Sequence, residues 1–389
     1  MYFCLWIINN FVKTIKYMDE EIKIYRSDIH LVMDLASRVY KNNTLKSNSS
    51  EEEQASFKLI RKKMGDVADY FRDKYNSSYG PFESDRNSGN PITIGGSKLG
   101  TVWSTIYKGA DNKQYAAQIS FVINKDLCGI DVGFYFGRAS SHNKTTSTHN
   151  ALVKQMQKMG KDMAKSVSDN SNILLLCQSL LDIGFHYLYD KTECHPDEWI
   201  EYIKTYPYKC QIVSTILFND KDFISLSDID IYVSQVLFLM NLLHADSFST
   251  KLVNPRTYDE CRQKRLSEIG RKGELYILER EKEALRKRKQ LHKGYPKHVA
   301  DISDNLGYDI LSKDSKGEDI LIEVKTTVCK KNSYRANLFY ISRNEYNTYM
   351  ANKKRYKIYR VYDIDGIPEY EEIDMETTNK EPDGYIVSY

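Results

Sequence analysis

Two strand-like segments near the C-terminus constrain the fold of this chain more than any other feature of its sequence. The first reads GYDILS over residues 307–312, and the second reads DILIEVK over residues 319–325. A turn that contains Lys316 and Gly317 separates them. Two such runs joined by a short polar turn are typical of a β-hairpin. The sequence therefore predicts two antiparallel strands in this region.

The second of these strands carries two charged residues, separated by one apolar residue. Side chains alternate between the faces of a strand, so Glu323 and Lys325 are predicted to point the same way, with Val324 opposed. The turn is expected to bring Asp309 next to them. An E-x-K pattern occurs by chance in many strands, so the functional interpretation depends on the residues around it.

Asp309, Glu323 and Lys325 have the chemistry that phosphodiester hydrolysis requires. Mg²⁺ prefers hard oxygen ligands and keeps several waters, so the two carboxylates are predicted to hold it. A bound cation lowers the pKa of a water and stabilises charge on the phosphorus. We expect Lys325 to orient or deprotonate the attacking water, or to stabilise the developing charge. Mn²⁺ is expected to substitute for Mg²⁺.

Further motifs lie in a fixed order around the hairpin. They are GRKGE at 270–274, Glu281 with Leu285, His298 with Val299, GYDI at 307–310, IEVKTT at 322–327, Phe339 with Ser342, Asn344 and Glu345, and a strand-like run at 356–363. In this order they resemble the NO VEIN C-terminal family, a branch of the PD-(D/E)XK nuclease superfamily. The resemblance covers nearly all of residues 270–389. Ala300 departs from it, because a Ser would be expected after His-Val.

The resemblance implies a restriction-endonuclease-like α/β domain, in which a central mixed sheet is flanked by helices. It implies a metal site at Asp309 and Glu323, with Lys325 as the catalytic lysine. It also implies that Glu274 arrives from the first helix as a further catalytic and metal-binding residue. Glu274 and Glu281 are seven residues apart and share one helical face, which is compatible with one or both facing the sheet.

Basic residues are concentrated at the start of this domain. Between Arg262 and Lys293 there are twelve Lys or Arg residues against five Glu. A basic helix can follow the phosphate backbone of a duplex, and a solvated helix with Glu–Lys pairs is an equal alternative. A polar loop after the second strand also offers substrate contacts. The residues predicted to bind nucleic acid are Arg286, Lys287, Arg288, Lys289 and Arg335.

The first part of the chain predicts a helical hairpin. Apolar residues recur at three-to-four spacing from Ser27 to Tyr75, interrupted by a polar loop in which Ser49 and Ser50 can cap the second helix. An antiparallel sheet and further helices are predicted to follow. The predicted strands are 101–109, 113–124, 129–138 and 210–218, and the predicted helices are 150–168, 171–189 and 225–244.

Several aromatic residues in this predicted sheet have two interpretations. They could form a surface that reads nucleic acid or a pocket for a flipped base. Aromatic residues that recur at every second position of a strand more often belong to a core. Most of these residues are therefore predicted to be core residues. The residues concerned are Trp103, Tyr107, Phe121, Phe134, Tyr135 and Phe136.

The chain is therefore predicted to be an α+β multidomain protein. Its predicted parts are an upstream extension at 1–18, an α+β recognition or regulatory region at 19–247, a linker at 248–261 and the nuclease-like domain at 262–389. Either Met1 or Met18 can be the true start. The apolar run at the N-terminus is too short to span a bilayer, so no membrane association is expected.

Composition excludes few classes of protein. With 41% hydrophobic and 28% charged residues the chain is typical of globular proteins, and a net charge of +3 does not by itself indicate a polyanionic partner. Seven Cys without a CxxC pair favour a reducing cytoplasm over a disulfide framework. Cys194 and His195 lack a second pair at zinc-site spacing. No P-loop is present, so ATP hydrolysis would need a separate subunit.

These observations predict a Mg²⁺-dependent DNA endonuclease used in restriction or anti-phage defence, with the N-terminal region selecting the target. The alternatives are a non-catalytic protein that keeps the nuclease fold and binds nucleic acid or a partner, and an RNA-cleaving or toxin nuclease activated by a partner. Expected partners are DNA, a second copy of the chain for double-strand cleavage, and a separate ATPase or methyltransferase subunit.

Overall fold

A computed structural model describes residues 22–36, 39–41, 44–45, 49–85, 97–98, 101–137, 147–243, 255–292, 294–302 and 306–381. Contacts divide the chain into two units, Met1–Leu180 with Gly184–Arg262, and Leu181–Ile183 with Gln263–Tyr389. The predicted extension at 1–18 lies outside the described residues. In the part of the chain that the structure describes, each helix is too short or too polar to cross a membrane.

The first unit contains a seven-stranded antiparallel sheet. Its strands are β4 (Glu83–Asp85), β6 (Trp103–Lys108), β7 (Ala117–Asn124), β8 (Gly129–Phe136), β9 (His186–Tyr189), β10 (Thr192–Glu193) and β11 (Cys210–Leu217). They lie in the order β10-β9-β11-β8-β7-β6-β4. Strands β6, β7 and β8 pair in sequence and antiparallel, as a meander, which confirms the antiparallel sheet predicted here.

The remaining strands of the first unit are short. β1 (Lys23–Tyr25) pairs with β12 (Phe223–Ser225), and β2 (Val39–Lys41) pairs with both β3 (Thr44–Leu45) and β5 (Ser97–Lys98). The helices are α1 (Arg26–Leu35), α2 (Glu51–Tyr79), α3 (Ser147–Ser168), α4 (Ser171–Ser179), α5 (Pro196–Ile203) and α6 (Leu226–Val236).

The N-terminus of α2 follows the prediction from its sequence. The Ser50 hydroxyl accepts a hydrogen bond from the backbone N–H of Glu53 at 3.1 Å, and the Glu53 carboxylate accepts one from the backbone N–H of Ser50 at 2.8 Å. This reciprocal arrangement satisfies two backbone donors, one of which the first helical turn leaves unpaired. The second helix of the predicted hairpin therefore begins where the sequence indicated, whereas the first ends at Leu35, and Val39 and Tyr40, predicted as part of it, belong to the strand Val39–Lys41.

The predicted helix at 171–189 is wrong in its second half. Helix α4 ends at Ser179, a short 3-10 segment covers Leu180–Ile183, and His186–Tyr189 is a strand that pairs with β11. Gly184 has a φ of +95°, a conformation that glycine adopts readily and that ends the helical path. The apolar sequence fits both structures, so its pattern alone did not distinguish them. The predicted helix at 225–244 similarly ends at Val236 and continues as 3-10 helix over Leu237–Asn241.

The aromatic residues of the meander divide between the two faces of the sheet. Phe121, Phe134 and Phe136 are buried in the core. The side chains of Trp103, Tyr107 and Tyr135 lie on the opposite face of the sheet and are partly exposed. The core prediction is therefore confirmed for the three phenylalanines.

The second unit is built on a five-stranded mixed sheet, which confirms the predicted C-terminal architecture. Its elements are α7 (Pro255–Lys287) from Gln263 onward, β13 (Lys297–His298), β14 (Ile310–Lys313), β15 (Asp319–Thr326), α8 (Arg343–Asn352), β16 (Tyr356–Tyr362) and β17 (Glu369–Ile373). The strand order is β13-β14-β15-β16-β17. β15 and β16 are parallel, and every other pair is antiparallel.

Helix α7 begins earlier than the sequence predicted. The predicted linker covered residues 248–261, but residues 255–261 are helical and only 248–254 lie outside the described residues. Proline is favoured at the first helical position, because its missing N–H has no partner there in any helix. Pro255 therefore starts the helix instead of marking a loop.

The alternation of β15 assigns its residues to two cores. Ile320, Ile322 and Val324 pack with Ile277 and Leu278 of α7. On the other face, one cluster joins Leu321 of β15 to Tyr349 of α8 and to Tyr356 and Ile358 of β16, with Met375. Each such apolar side chain contributes roughly 1.5–3 kcal/mol on burial. Glu323 and Lys325, which share the alternation of Leu321, are thereby directed to the face that α8 covers.

Candidate active site

Glu323 and Lys325 lie side by side on β15, as predicted. The Lys325 Nζ is 2.8 Å from the Glu323 Oε1. Glu323 is buried, so this ion pair lies in a largely desolvated environment. Val324 packs on the opposite face of the sheet. The strand therefore presents one carboxylate and one ammonium to the same place.

Asp309 lies immediately before β14 and is fixed by β15. Its backbone N–H donates to the carbonyl of Ile322 at 2.9 Å, and its Oδ2 accepts a hydrogen bond from the backbone N–H of Val324 at 2.7 Å. The antiparallel pairing of the hairpin starts directly after it, with Ile310 opposite Ile322. With this register, the Asp309 carboxylate lies beside the part of β15 that contains Glu323.

The pKa values of Asp309 and Glu323 are both raised above their ordinary values. Burial raises the pKa of Glu323, and the negative charge of Asp309 raises it further. Burial also raises the pKa of Asp309, against the lowering effect of the Val324 N–H, and the charge of Glu274 adds to the increase. Raised pKa values in two neighbouring carboxyl groups mean that a positive charge between them would be favourable.

The turn before Asp309 is held by two features. Gly307 has a φ of +70°, and a Cβ at this position would collide with the Thr348 hydroxyl. The Tyr356 hydroxyl donates to the Gly307 carbonyl at 2.9 Å. The sequence GYD therefore requires glycine for conformational reasons, and the next strand of the sheet fixes the turn from the same face as Glu323.

Helix α7, which carries Glu274, approaches the sheet closely at Gly273, the residue before it. A Cβ on Gly273 would collide with the side chain of Thr326, the last residue of β15. The missing Cβ lets the helix come close to the end of the strand, and the charge of Glu274 acts on Asp309. The Glu274 Oε2 is 2.8 Å from the His298 Nε2, and the His298 Nδ1 is 2.9 Å from an oxygen of Asp301.

A divalent cation requires ligands that lie close enough together to bind it at the same time. Among the described residues, no three Asp, Glu, His or Cys side chains form a group that could hold a metal ion. Glu274 is hydrogen-bonded to His298, and its part in the cation site with Asp309 and Glu323 stays a prediction. Mg²⁺ is often held by one or two carboxylates together with waters and phosphate oxygens. Asp309 and Glu323 fit that requirement.

Glu345 contacts the site, although no catalytic or metal-binding role was predicted for it. Its Oε2 lies 2.6 Å from the Lys325 Nζ and also accepts a hydrogen bond from the backbone N–H of Ser342 at 3.0 Å. Burial acts to lower the pKa of Lys325, but the charges of Glu323 and Glu345 outweigh it and raise that pKa. Two signals were available, the place of Glu345 among the ordered motifs and the S-x-x-E capping pattern at the start of α8, but neither predicts its tertiary neighbour.

The four basic residues at the end of α7 and in the two positions after it are exposed. Arg286, Lys287, Arg288 and Lys289 all face solvent, and Arg288 also donates to the Lys313 carbonyl at 3.1 Å. Glu274 precedes Lys287 by thirteen residues on the same helix, which corresponds to about 20 Å at 1.5 Å per residue. These side chains are therefore available for a phosphate backbone, and their binding of nucleic acid stays a prediction.

Arg335 is placed differently from its prediction. Its Nε and Nη2 donate to the two carboxylate oxygens of Asp182, each at 3.1 Å, and its side chain is 15% exposed. Both Asp182 and Arg335 belong to the second unit. The ion pair engages the donors that a phosphate would need, so this geometry does not favour a direct contact between Arg335 and DNA.

The order of these site residues can be compared with known families. Residues 273–373 match the family model described as Protein NO VEIN, C-terminal. The resemblance identified from the motifs is confirmed over this range. The NO VEIN C-terminal match includes Glu274, Asp309, Glu323, Lys325 and Glu345, while residues 1–272 lie outside it. No curated protein and no solved structure matches the chain.

Proposed function

We propose that this chain is a Mg²⁺-dependent endonuclease that hydrolyses phosphodiester bonds in DNA. The observation that carries the proposal is the partly buried Asp309 with the buried Glu323, whose carboxylate lies beside the Lys325 ammonium. The match of the surrounding residues to the NO VEIN C-terminal family supports it. Mn²⁺ is proposed to replace Mg²⁺, because the site offers hard oxygen ligands of the kind that both cations accept.

The side chains of the site divide the proposed chemistry among them. Asp309 and Glu323 would hold the cation, which when bound lowers the pKa of a water and polarises the phosphate. Lys325 lies against two carboxylates, which favour its charged form. That arrangement suits a role in orienting the water or stabilising charge on the phosphate, in preference to deprotonating the water. Glu274, held by His298, would act from the edge of the site.

The experiment compares purified wild-type protein with three single variants on supercoiled plasmid, using unmodified and modified DNA. The variants are Asp309→Ala, Glu323→Ala and Lys325→Ala. We expect cleavage by the wild type with Mg²⁺ or Mn²⁺, none with EDTA, and a loss of at least about 10²-fold in each variant. Asp319→Asn is the matched control, since Asp319 lies on the same strand but pairs with Lys313 at 2.7 Å.

Two results would count against the proposal. Cleavage that survives all three substitutions would show that another site, or a contaminating nuclease, is responsible. Binding of DNA without cleavage on every substrate would favour the second candidate, a non-catalytic protein that binds nucleic acid. That candidate is supported by the exposed basic residues at 286–289, which need no metal ion to contact phosphates.

We further propose that the protein serves in restriction or anti-phage defence and that residues 19–247 select the target. A pair of chains would supply the two active sites that double-strand cleavage requires. A separate ATPase or methyltransferase subunit would complete such a system. Plasmid and single-stranded RNA offered in parallel would distinguish this role from that of an RNA-cleaving or toxin nuclease.

A further inference from the structure

The Lys325 ammonium lies between two carboxylates that come from different elements. Glu323 lies two residues before it on the same strand and approaches to 2.8 Å, while Glu345 belongs to helix α8 and approaches to 2.6 Å. All three side chains are shielded from solvent, with exposed fractions of 16% for Lys325, 5% for Glu323 and 21% for Glu345. One positive charge is therefore shared by two negative charges in a desolvated place.

One of these two contacts conflicts with the proposed cation site. The Lys325 ammonium forms an ion pair with the Oε1 of Glu323. Glu323 is one of the two carboxylates that would hold the cation. A divalent ion on Glu323 competes with Lys325 for that carboxylate and repels the ammonium. Charges this close and this buried interact strongly, since water screens them little. When a cation binds, Lys325 needs another partner if it is to stay in the site.

Glu345 is fixed in a position to be that partner. It is the third residue of α8, and its Oε2 is held by the backbone N–H of Ser342 as well as by Lys325. The Ser342 hydroxyl in turn accepts from the backbone N–H of Glu345 at 3.2 Å. A carboxylate in the first turn of a helix is further stabilised by the helix dipole. Its placement therefore depends on the start of the helix and not on Glu323.

We propose that Glu345 is a positioning residue that retains the Lys325 ammonium when a divalent cation takes Glu323. This inference rests on the proposed function, because it assumes a cation at Asp309 and Glu323. Glu345 lowers the cost of cation binding by giving the displaced ammonium a second carboxylate. It also keeps Lys325 beside the cation, where it can contact the phosphate.

The experiment measures binding of Mn²⁺ alone to the full-length protein by isothermal titration calorimetry. Glu345→Gln removes the charge but keeps an amide that can complete the cap of α8. We expect it to weaken Mn²⁺ binding about tenfold, as the loss of a residue that supports a metal ligand commonly does. Lys325→Met removes the competing ammonium and is expected to bind Mn²⁺ at least as tightly as the wild type.

The double variant Glu345→Gln with Lys325→Met tests whether Glu345 acts through Lys325. If it does, Glu345→Gln has little further effect once the ammonium is gone, because the two substitutions are coupled. Ser342→Ala is the control for the helix cap. It removes the cap hydroxyl and leaves both ion pairs, so it is expected to lower the melting temperature without changing the affinity for Mn²⁺.

Three outcomes would overturn the inference, and they differ from one another. Absence of Mn²⁺ binding by the wild type would remove the proposed cation site and this inference together. Equal affinities of the wild type and Glu345→Gln would remove only the positioning role. Equal weakening in the presence and absence of Lys325 would show that Glu345 acts on the cation itself. If Glu345→Gln fails to fold, Glu345→Asp replaces it, because it keeps the charge but places the carboxylate further from Lys325. Its affinity for Mn²⁺ is then measured with Lys325 present and with Lys325→Met.

Discussion

Gly273 shows how one absent Cβ positions a catalytic candidate. It lies within a 33-residue helix, where glycine costs about 1 kcal/mol relative to alanine. The cost has a structural reason, since a Cβ here would collide with the side chain of Thr326. Gly270, one turn earlier, has no such constraint, because its nearest contact would be the Glu274 Oε1 at 3.9 Å. The two glycines therefore form a matched pair for substitution.

We expect Gly273→Ala to destabilise the protein by about 1–3 kcal/mol, because an extra methyl group must displace either the helix or the strand. Gly270→Ala is expected to be neutral or to stabilise by up to about 1 kcal/mol, through helix propensity. Urea denaturation followed by circular dichroism measures both. Equal effects of the two substitutions would mean that helix α7 and strand β15 do not approach closely at Gly273.

Asp365 is a second residue whose charge is tied to the fold. It pairs with Arg265 and Lys272 of α7. Burial acts to raise the pKa of Asp365, but the two cations outweigh it and hold that pKa below its usual range. A carboxyl group whose folded pKa is depressed stabilises the protein above its unfolded pKa, and this stability is lost as the pH falls through the folded pKa.

We expect Asp365→Asn to cost about 3 kcal/mol at pH 7, since it leaves the buried Arg265 without this carboxylate. The difference from the wild type is expected to shrink below about pH 4, where the unfolded carboxyl begins to be protonated. Guanidinium denaturation at pH 7 and pH 3 measures this. Glu283→Gln, which breaks an exposed pair with Arg280, is the control and is expected to cost under about 1 kcal/mol at either pH. A cost for Asp365→Asn that does not change with pH would contradict the assignment.

At the scale of elements, the segment between β15 and α8 depends on a buried arginine. Arg360 of β16 lies opposite Lys325 in the parallel register and is 4% exposed. Its guanidinium donates to the Ala336 carbonyl at 3.0 and 2.8 Å and to the Leu338 carbonyl at 2.9 Å. Asp182 holds the same segment through Arg335. This segment leads into α8 and hence to Glu345.

We expect Arg360→Lys to destabilise the protein by about 2 kcal/mol, because an ammonium does not reproduce three donations from a planar guanidinium. Amide hydrogen exchange over residues 330–342 is expected to accelerate. Lys357→Ala on the same strand breaks a more exposed pair with Glu372 and should change exchange in this segment little. Unchanged exchange in Arg360→Lys would show that the segment is held by other contacts.

Local sequence patterns correctly predicted the strands of the site. The contacts that depend on how distant elements pack could not be predicted from them. The alternation in 319–325 correctly placed Glu323 and Lys325 on one face, since that depends only on strand geometry. The role of Glu345 was missed because its contact with Lys325 depends on where α8 packs, twenty residues further along the chain. The strand at His186–Tyr189 was predicted as helix because its apolar residues fit both periods, and one glycine decided between them.

At the scale of the whole molecule, a net charge of +3 conceals a local basic surface at the end of α7. If this surface contacts DNA, each lost phosphate contact should reduce the salt dependence of binding. We expect Lys287→Ala with Lys289→Ala to reduce the slope of log K against log salt by about 1.8, or 0.9 per contact. Fluorescence anisotropy on a duplex of random sequence measures it.

The control for this measurement is Lys58→Ala with Lys62→Ala, two exposed lysines on α2 in the first unit. It removes the same charge from the chain, and its slope is expected to equal that of the wild type. Equal reductions in the two double variants would indicate an effect of net charge and not of a defined contact surface.

The position of β15 as the middle strand of five has a consequence for the durability of the site. A strand paired on both sides opens to solvent only when most of its sheet has opened, so its amides belong to the most protected class in a protein. Asp309 is bonded to this strand, and Glu323 and Lys325 are part of it. Heating should therefore leave these three groups assembled up to the global transition, while the ends of helices fray earlier. Tolerance to heat would be a property of the reactive centre itself.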